Sequence, residues 1–118
     1  MISLILSARR DSTVMLSANK MRQLSMGLLM YCSAHDGKWP EKLEEIQELV
    51  GGAQAFQMLM ANPTNHQSPG YIYEKPATKL ADMKDPSGVA VLHEGSNGKS
   101  DPNGFVAYAD GHVAREAK

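Results

Sequence analysis

Three short segments place a histidine beside an acidic residue, a pairing that could orient a catalytic base or bind a metal. They are His35-Asp36, His93-Glu94 and Asp110-Gly111-His112. Histidine and carboxylate groups are common ligands of zinc and other transition metals. However, the C-terminal end of a helix favours a histidine, and Asp-Gly is a common sequence of tight turns. We therefore expect structural roles for these residues rather than catalysis or zinc binding.

The composition excludes several classes of protein. The net charge is -1 over 118 residues and the basic residues are scattered, so we expect no nucleic-acid partner. A single cysteine, Cys32, excludes an internal disulfide and a cysteine-rich zinc site. The sequence contains no nucleophile elbow, phosphate loop, dinucleotide fingerprint or His-Glu-x-x-His pair, so we do not expect an enzyme.

One long amphipathic helix is predicted for the first third of the chain. The pattern covers about 28 residues, more than twice the usual helix length, and Gly37 is expected as the left-handed residue after the last turn. A stripe on this helix recurs at steps of three and four residues. It comprises Val14, Ser17, Met21, Leu24 and Leu28. We expect the stripe to pack on the head or on neighbouring subunits, because so long a helix exceeds the width of a core built from the remaining residues.

The rest of the chain reads as short elements in the order helices, then strands. A second helix is expected after Trp39-Pro40, with an apolar stripe of Leu43, Ile46, Leu49 and Val50. The segment 53–60 is compatible with a third helix or a buried strand. Strands are expected at 71–74, 89–93 and 105–109, and Asp110-Gly111 predicts a hairpin to a strand at 112–114.

These elements predict an α+β fold in one domain, residues 1–118. The long N-terminal helix (1–36) would pack on a small antiparallel sheet of three to four strands, and residues 37–118 would form the globular head.

Four motifs in this chain resemble a known family. Residues 17–31 (SANKMRQLSMGLLMY) and the turn at 36–40 (DGKWP) resemble the post-membrane helix and turn of type II secretion pseudopilins and related prepilin-type proteins. Residues 105–113 (FVAYADGHV) are similar to the ending of a prepilin-like family of Planctomycetes, Verrucomicrobia and Lentisphaerae. Tyr71-Ile72-Tyr73 and Asp85-Pro86-Ser87 match that family's strand and turn. The resemblance implies a pilin-like fold.

The chain departs from the family pattern at two places. The Phe-Thr-Leu-Ile-Glu junction that follows the peptidase cleavage site is absent, as is most of the apolar helix after it. On the sequence pattern alone, residues 1–6 are compatible with the frayed start of an amphipathic helix or with the tail of a longer apolar helix. The resemblance implies the tail, and it implies that the chain is a soluble ectodomain. Ser100 occupies a position where many relatives carry a histidine, so any role of that histidine does not transfer.

The resemblance implies a structural role in protein secretion. The chain would be a subunit of a type II secretion or type IV pilus-like filament in the periplasm, anchored in the inner membrane through the missing N-terminal segment. It would assemble with copies of itself and with other pseudopilins through the N-terminal helix. Arg9, Arg10 and Asp11 could make charged contacts between subunits, although a solvated helix face explains them equally simply.

The resemblance to major pseudopilins also implies a calcium-binding loop near the C-terminus. Asn97, Asp101 and Asp110 would supply oxygen ligands. Calcium prefers several carboxylates, and this loop has one clear carboxylate and no EF-hand spacing. We therefore expect no cofactor and keep calcium as the alternative.

A different class of function is a monomeric extracytoplasmic binding module. In that case Trp39, Tyr71, Tyr73 and Tyr108 would recognise a polysaccharide or another surface ligand. Exposure separates the two hypotheses, because aromatic side chains that bind a ligand must face solvent and core aromatics do not.

Overall fold

The molecule is organised around helix α1, which spans Ile2–Ala34. The structure is a computed structural model that describes the backbone of residues 2–115 and the side chains of residues 12–115. With 33 residues, α1 is about 50 Å long. Asp36 and Gly37 both have positive φ, and the Gly37 N–H donates to the Cys32 carbonyl at 2.8 Å. The predicted long helix and its glycine stop are confirmed.

One face of α1 is buried against the rest of the chain. Its fully buried apolar side chains are Ala18, Met21, Leu24, Leu28 and Cys32. Helix α1 contacts a 3-10 helix at Leu43–Val50 more extensively than any other single element, and it also contacts helix α2 (Ala53–Met60) and the sheet. The prediction of a helix packed on a sheet therefore holds only in part, because much of the buried face of α1 packs on these two shorter helices.

The second helix differs from its prediction in two respects. It is a 3-10 helix, and of the four predicted stripe residues only Leu43 and Ile46 are fully buried, whereas Leu49 is exposed. Val50 packs against α1 at Gly27, which has no side chain. A Cβ at Gly27 would lie 2.8 Å from Val50 Cγ1. The segment 53–60, which the sequence left open, is the helix α2.

The sheet has five antiparallel strands rather than three or four. They are β1 (Tyr71–Tyr73), β2 (Ala90–Ser96), β3 (Lys99–Ser100), β4 (Phe105–Tyr108) and β5 (Val113–Arg115). The order is β1-β2-β4-β5, and β3 pairs with the end of β2. The hairpin predicted at Asp110-Gly111 is confirmed, because it joins β4 to β5. The extra strand β3 follows a turn in which Asn97 and Gly98 both have positive φ.

A single apolar cluster joins the helices to the inner face of the sheet. From the sheet it includes Val91 and Leu92 of β2, Ala107 of β4, and Ala109 just after β4. Trp39 is buried beside it, and its Nε1–H donates to the Thr78 carbonyl at 3.2 Å.

Replacing Gly27 by valine is expected to destabilise the fold by about 2 kcal/mol, because the added Cβ alone would lie 2.8 Å from Val50 Cγ1 and 3.0 Å from Ile46 Cδ1. The control is Gln23→Val on the exposed side of α1, where the same β-branched residue meets no neighbour and should cost under about 1 kcal/mol. Urea denaturation gives both values. Equal losses of stability in the two variants would contradict the close approach at Gly27.

Stability should fall in mild alkali because of Cys32. Burial raises the pKa of this thiol to about 11. Since the pKa is higher in the folded than in the unfolded chain, its contribution to stability is complete below about pH 8.5 and is lost as the pH rises toward 11. The urea midpoint is expected to fall between about pH 8 and pH 10. The decrease in the urea midpoint should be smaller in Cys32→Ala. An equal decrease in this variant would show that another group causes the loss of stability.

Candidate functional site

Four polar side chains are buried together where α1, the loop after α2 and the sheet meet. We call Ser17, Asn62, Tyr71 and Glu94 the Glu94 cluster. Each is 3% exposed or less, and Glu94 is 1% exposed. They come from four separate parts of the chain, so the cluster forms only when the helix is docked on the head.

The carboxylate of Glu94 accepts hydrogen bonds from three directions. Its Oε2 accepts from Ser17 Oγ at 2.5 Å and from Asn62 Nδ2 at 3.1 Å. Its Oε1 accepts from the Phe105 N–H at 2.8 Å. Among residues 12–115, no cationic side chain lies within ion-pair distance of Glu94. These hydrogen bonds therefore offset the cost of burying the carboxylate.

The remaining members of the cluster complete its hydrogen bonding. Ser17 Oγ lies 2.9 Å from the Tyr71 hydroxyl. Burial raises the pKa of Tyr71 to about 12, so this hydroxyl stays protonated and donates to Ser17, which donates in turn to Glu94. Asn62 Nδ2 also donates to the Gly70 carbonyl at 3.0 Å, and its Oδ1 accepts from the Thr64 N–H at 2.8 Å. The cluster thus ties α1 to β1, to β2 and to the loop 62–70.

The sequence predicts other roles for three of these residues. Ser17 belongs to the predicted helix stripe, Tyr71 to the aromatic residues of the binding-module hypothesis, and Glu94 to a His-Glu pair that could bind a metal. Successive residues of a strand point to opposite faces. His93 accordingly faces out and pairs with Glu74 at 2.9 Å, while Glu94 points into the core. A serine within an otherwise apolar stripe was the signal that a buried polar partner was needed.

The predicted stripe of α1 lies mostly against the head. Ser17, Met21, Leu24 and Leu28 are fully buried by the chain itself, and Val14 is half-buried. These four side chains are therefore covered before any second subunit approaches. The side chains of Arg9, Arg10 and Asp11 lie outside the described residues, as do those of residues 1–6.

The opposite side of α1 carries a second, uncovered apolar surface. We call Met15, Leu16, Met26 and Met30 the methionine face; these side chains are 47% (Met30) to 59% (Met15) exposed. At 100° per residue, Met15, Met26 and Met30 lie within one narrow sector, opposite Leu24 and Leu28. Asn19 lies within the same sector and Arg22 borders it, and Arg22 Nη1 donates to Asn19 Oδ1 at 2.7 Å.

The structure does not bring the three proposed calcium ligands together. Asn97 is at the turn between β2 and β3, whereas Asp101 precedes β4 and accepts from Asn65 Nδ2 at 3.1 Å. Asp110 follows β4 at the opposite end of that strand. There the His112 N–H lowers the pKa of Asp110 by donating to its carboxylate. In the part of the chain that the structure describes, no three histidine, cysteine or acidic side chains form a potential metal site.

The aromatic residues proposed for a binding module are only partly accessible. Trp39 and Tyr71 are buried in the core, and Tyr73 and Tyr108 are half-buried. The Tyr73 hydroxyl is already used, since it donates to the Pro40 carbonyl at 2.7 Å. These four residues do not form one exposed ligand-binding surface.

Comparisons with known proteins leave the geometry as the main guide to function. No protein-family model matches the chain, and no curated protein or solved structure matches it. Within the described residues, no helix is both long enough and apolar enough to cross a membrane.

Ser17→Ala is expected to destabilise the chain by about 2 kcal/mol, because it leaves Glu94 and Tyr71 short of a buried hydrogen-bond partner. Ser25→Ala is a matched control on the same buried side of α1, where the Ser25 hydroxyl has no hydrogen-bond partner among residues 12–115. Removing that hydroxyl should leave stability unchanged or increase it. Urea denaturation measures both. A Ser25 effect as large as that of Ser17 would refute the role assigned to the cluster.

Proposed function

We propose that this chain is a pseudopilin-like structural subunit that assembles through α1 into a short filament of a type II secretion or type IV pilus-like system. Its role would be mechanical: packed helices would form the filament core, the heads would face outward, and growth of the filament would move protein cargo. The observation that carries the proposal is the methionine face, an apolar surface on the side of α1 that the head leaves uncovered.

The distribution of apolar residues around α1 favours helix-to-helix assembly. A helix that packs only on its own head needs one apolar face, with polar residues opposite. On α1 the face toward the head is buried from Ser17 to Cys32, about 24 Å of helix, and the opposite face exposes four large apolar residues over the same region and just before it. Covering that face with a neighbouring helix would remove its apolar surface from water.

Methionine suits such a contact for a specific reason. Its unbranched, flexible side chain adapts to neighbours of different shape. A filament that mixes copies of one subunit with related subunits requires that adaptability. The Asn19–Arg22 pair among the methionines supplies a polar group that can fix the alignment of neighbouring helices.

The resemblance of the sequence to pseudopilins adds the location to the proposal. The subunit would lie in the periplasm, with an apolar segment before residue 1 anchoring it in the inner membrane. It would have neither a catalytic role nor a nucleic-acid partner. Reading the coding sequence upstream of Met1 tests the anchor, and about 20 apolar codons after a peptidase site would support it.

Cysteine cross-linking tests the methionine face as an assembly surface. In a Cys32→Ala background, Met26→Cys is expected to form disulfide-linked dimers faster than Glu48→Cys, whose position is also exposed but lies on the 3-10 helix of the head. We expect a rate ratio of about ten, since association raises the local concentration of the paired thiols. The reaction is followed by non-reducing electrophoresis.

Two results would contradict the proposal. One is equal dimerisation at positions 26 and 48. The other is strictly monomeric sedimentation of the unmodified chain at millimolar concentration, with no change when Met26→Glu adds a charge to the face.

A further inference from the structure

A cleft lies at the C-terminal end of α1, on a side of the molecule that the Glu94 cluster and the methionine face do not use. It has a volume of about 340 Å³ and separates the end of the helix from the segment 75–79. Small-molecule sites in proteins begin at about 300 Å³. The cleft is therefore large enough for one or two sugar rings.

Two stacked aromatic rings form the helix side of the cleft. The rings of Tyr31 and His35 have their centroids 3.9 Å apart and their planes 9° apart, so their outer faces and edges are the free surfaces. His35 Nδ1–H donates to the Tyr31 carbonyl at 2.8 Å, which holds the histidine ring and leaves Nε2 without a partner among the described residues. Trp39 also lines the cleft, but it is only 5% exposed. The outer face of a stacked ring can pack against the apolar face of a sugar ring.

The rim of the cleft is positively charged. Lys38, Lys75 and Lys79 line it, together with a single carboxylate, Glu41, which is already paired with Lys75. Within the described part of the chain, Lys38 and Lys79 have no ion pair or side-chain hydrogen bond. Two free ammonium groups thus flank the cleft in a protein whose net charge is -1.

The neighbouring surface has a mixed charge. A wider depression of about 710 Å³ adjoins the cleft across the segment 75–77. Its charged lining residues are three carboxylates and two lysines: Glu74, Asp82, Asp85, Lys75 and Lys84. The cleft with Lys38 and Lys79 therefore suits an anionic ligand better than this depression does.

From these observations we infer that the cleft binds an acidic sugar, one whose ring carries a carboxylate. The sugar ring would lie against the stacked rings of Tyr31 and His35, and its carboxylate would lie between Lys38 and Lys79. Each ammonium donates hydrogen bonds to the carboxylate, and charged hydrogen bonds of this kind are the strong ones. This site does not depend on the proposed filament role, since it lies between the end of α1 and the head of the same chain and needs no second subunit.

Nuclear magnetic resonance titration of the whole chain tests the inference. Galacturonic acid is the probe, galactose is its uncharged counterpart, and inorganic phosphate is an anion without a sugar ring. Galacturonic acid is expected to shift the Trp39 indole N–H and the His35 ring signals in a saturable way. Galactose should bind about tenfold more weakly than galacturonic acid. Added salt should weaken the binding of galacturonic acid, because it screens the charges.

Paired variants of equal charge locate the site. Lys38→Ala combined with Lys79→Ala should weaken galacturonic acid binding by about tenfold. Lys84→Ala combined with Lys99→Ala removes the same charge from exposed positions outside this cleft and should leave binding unchanged. Tyr31→Ala should also weaken the binding of galacturonic acid, because it removes one of the two stacked rings.

Three results would overturn the inference. The first is no saturable shift with galacturonic acid at millimolar concentration. The second is equal binding of galactose, which would make the lysines irrelevant. The third is an equal response to phosphate, which would show a general anion site without recognition of a sugar.

Discussion

The burial of the Glu94 carboxylate without a cation is the constraint on which the arrangement of helix and head depends. A charged or polar group removed from water must regain its hydrogen bonds, and Glu94 regains them from α1, from the loop after α2 and from the start of β4. If any of these parts moved away, a buried oxygen of Glu94 would lose a hydrogen-bond donor. Directional hydrogen bonds therefore select one docking position for a helix whose apolar contacts alone would tolerate sliding.

Gly27 constrains the same docking ten residues farther along the helix, where α1 meets the 3-10 helix. Its missing side chain lets the 3-10 helix approach α1 closely through Val50 and Ile46. The two features act differently. The polar cluster stabilises one position of α1 on the head, and the glycine contact excludes positions of α1 in which a larger residue would face the 3-10 helix. Together they explain how α1 can hold a fixed orientation on the head although the sheet covers only part of it. A fixed orientation also keeps the methionine face directed away from the head.

Periodicity and turn residues in the sequence were sufficient to predict the long helix, the order of the elements and the hairpin at Asp110-Gly111. It was insufficient to distinguish a 3-10 helix from an α-helix at 43–50, because apolar residues three and four positions apart are compatible with either kind of helix. The strand β3 was missed although Asn97-Gly98 is as strong a turn signal as Asp-Gly, since its flanking residues are polar and give no apolar alternation. The Glu94 cluster was missed because its members are far apart in sequence, and only Ser17 stood out among apolar neighbours.

The two ends of the sheet have a consequence for how copies of this chain can meet. The outer strands β1 and β5 are each only three residues long, and at β5 the guanidinium of Arg115 lies 4.7 Å from the centre of the Phe105 ring. Outer strands this short offer few free backbone groups for another chain to extend the sheet, and at β5 the arginine adds a charge to the edge. When many heads are crowded together on a surface, we therefore expect them to remain separate folded units.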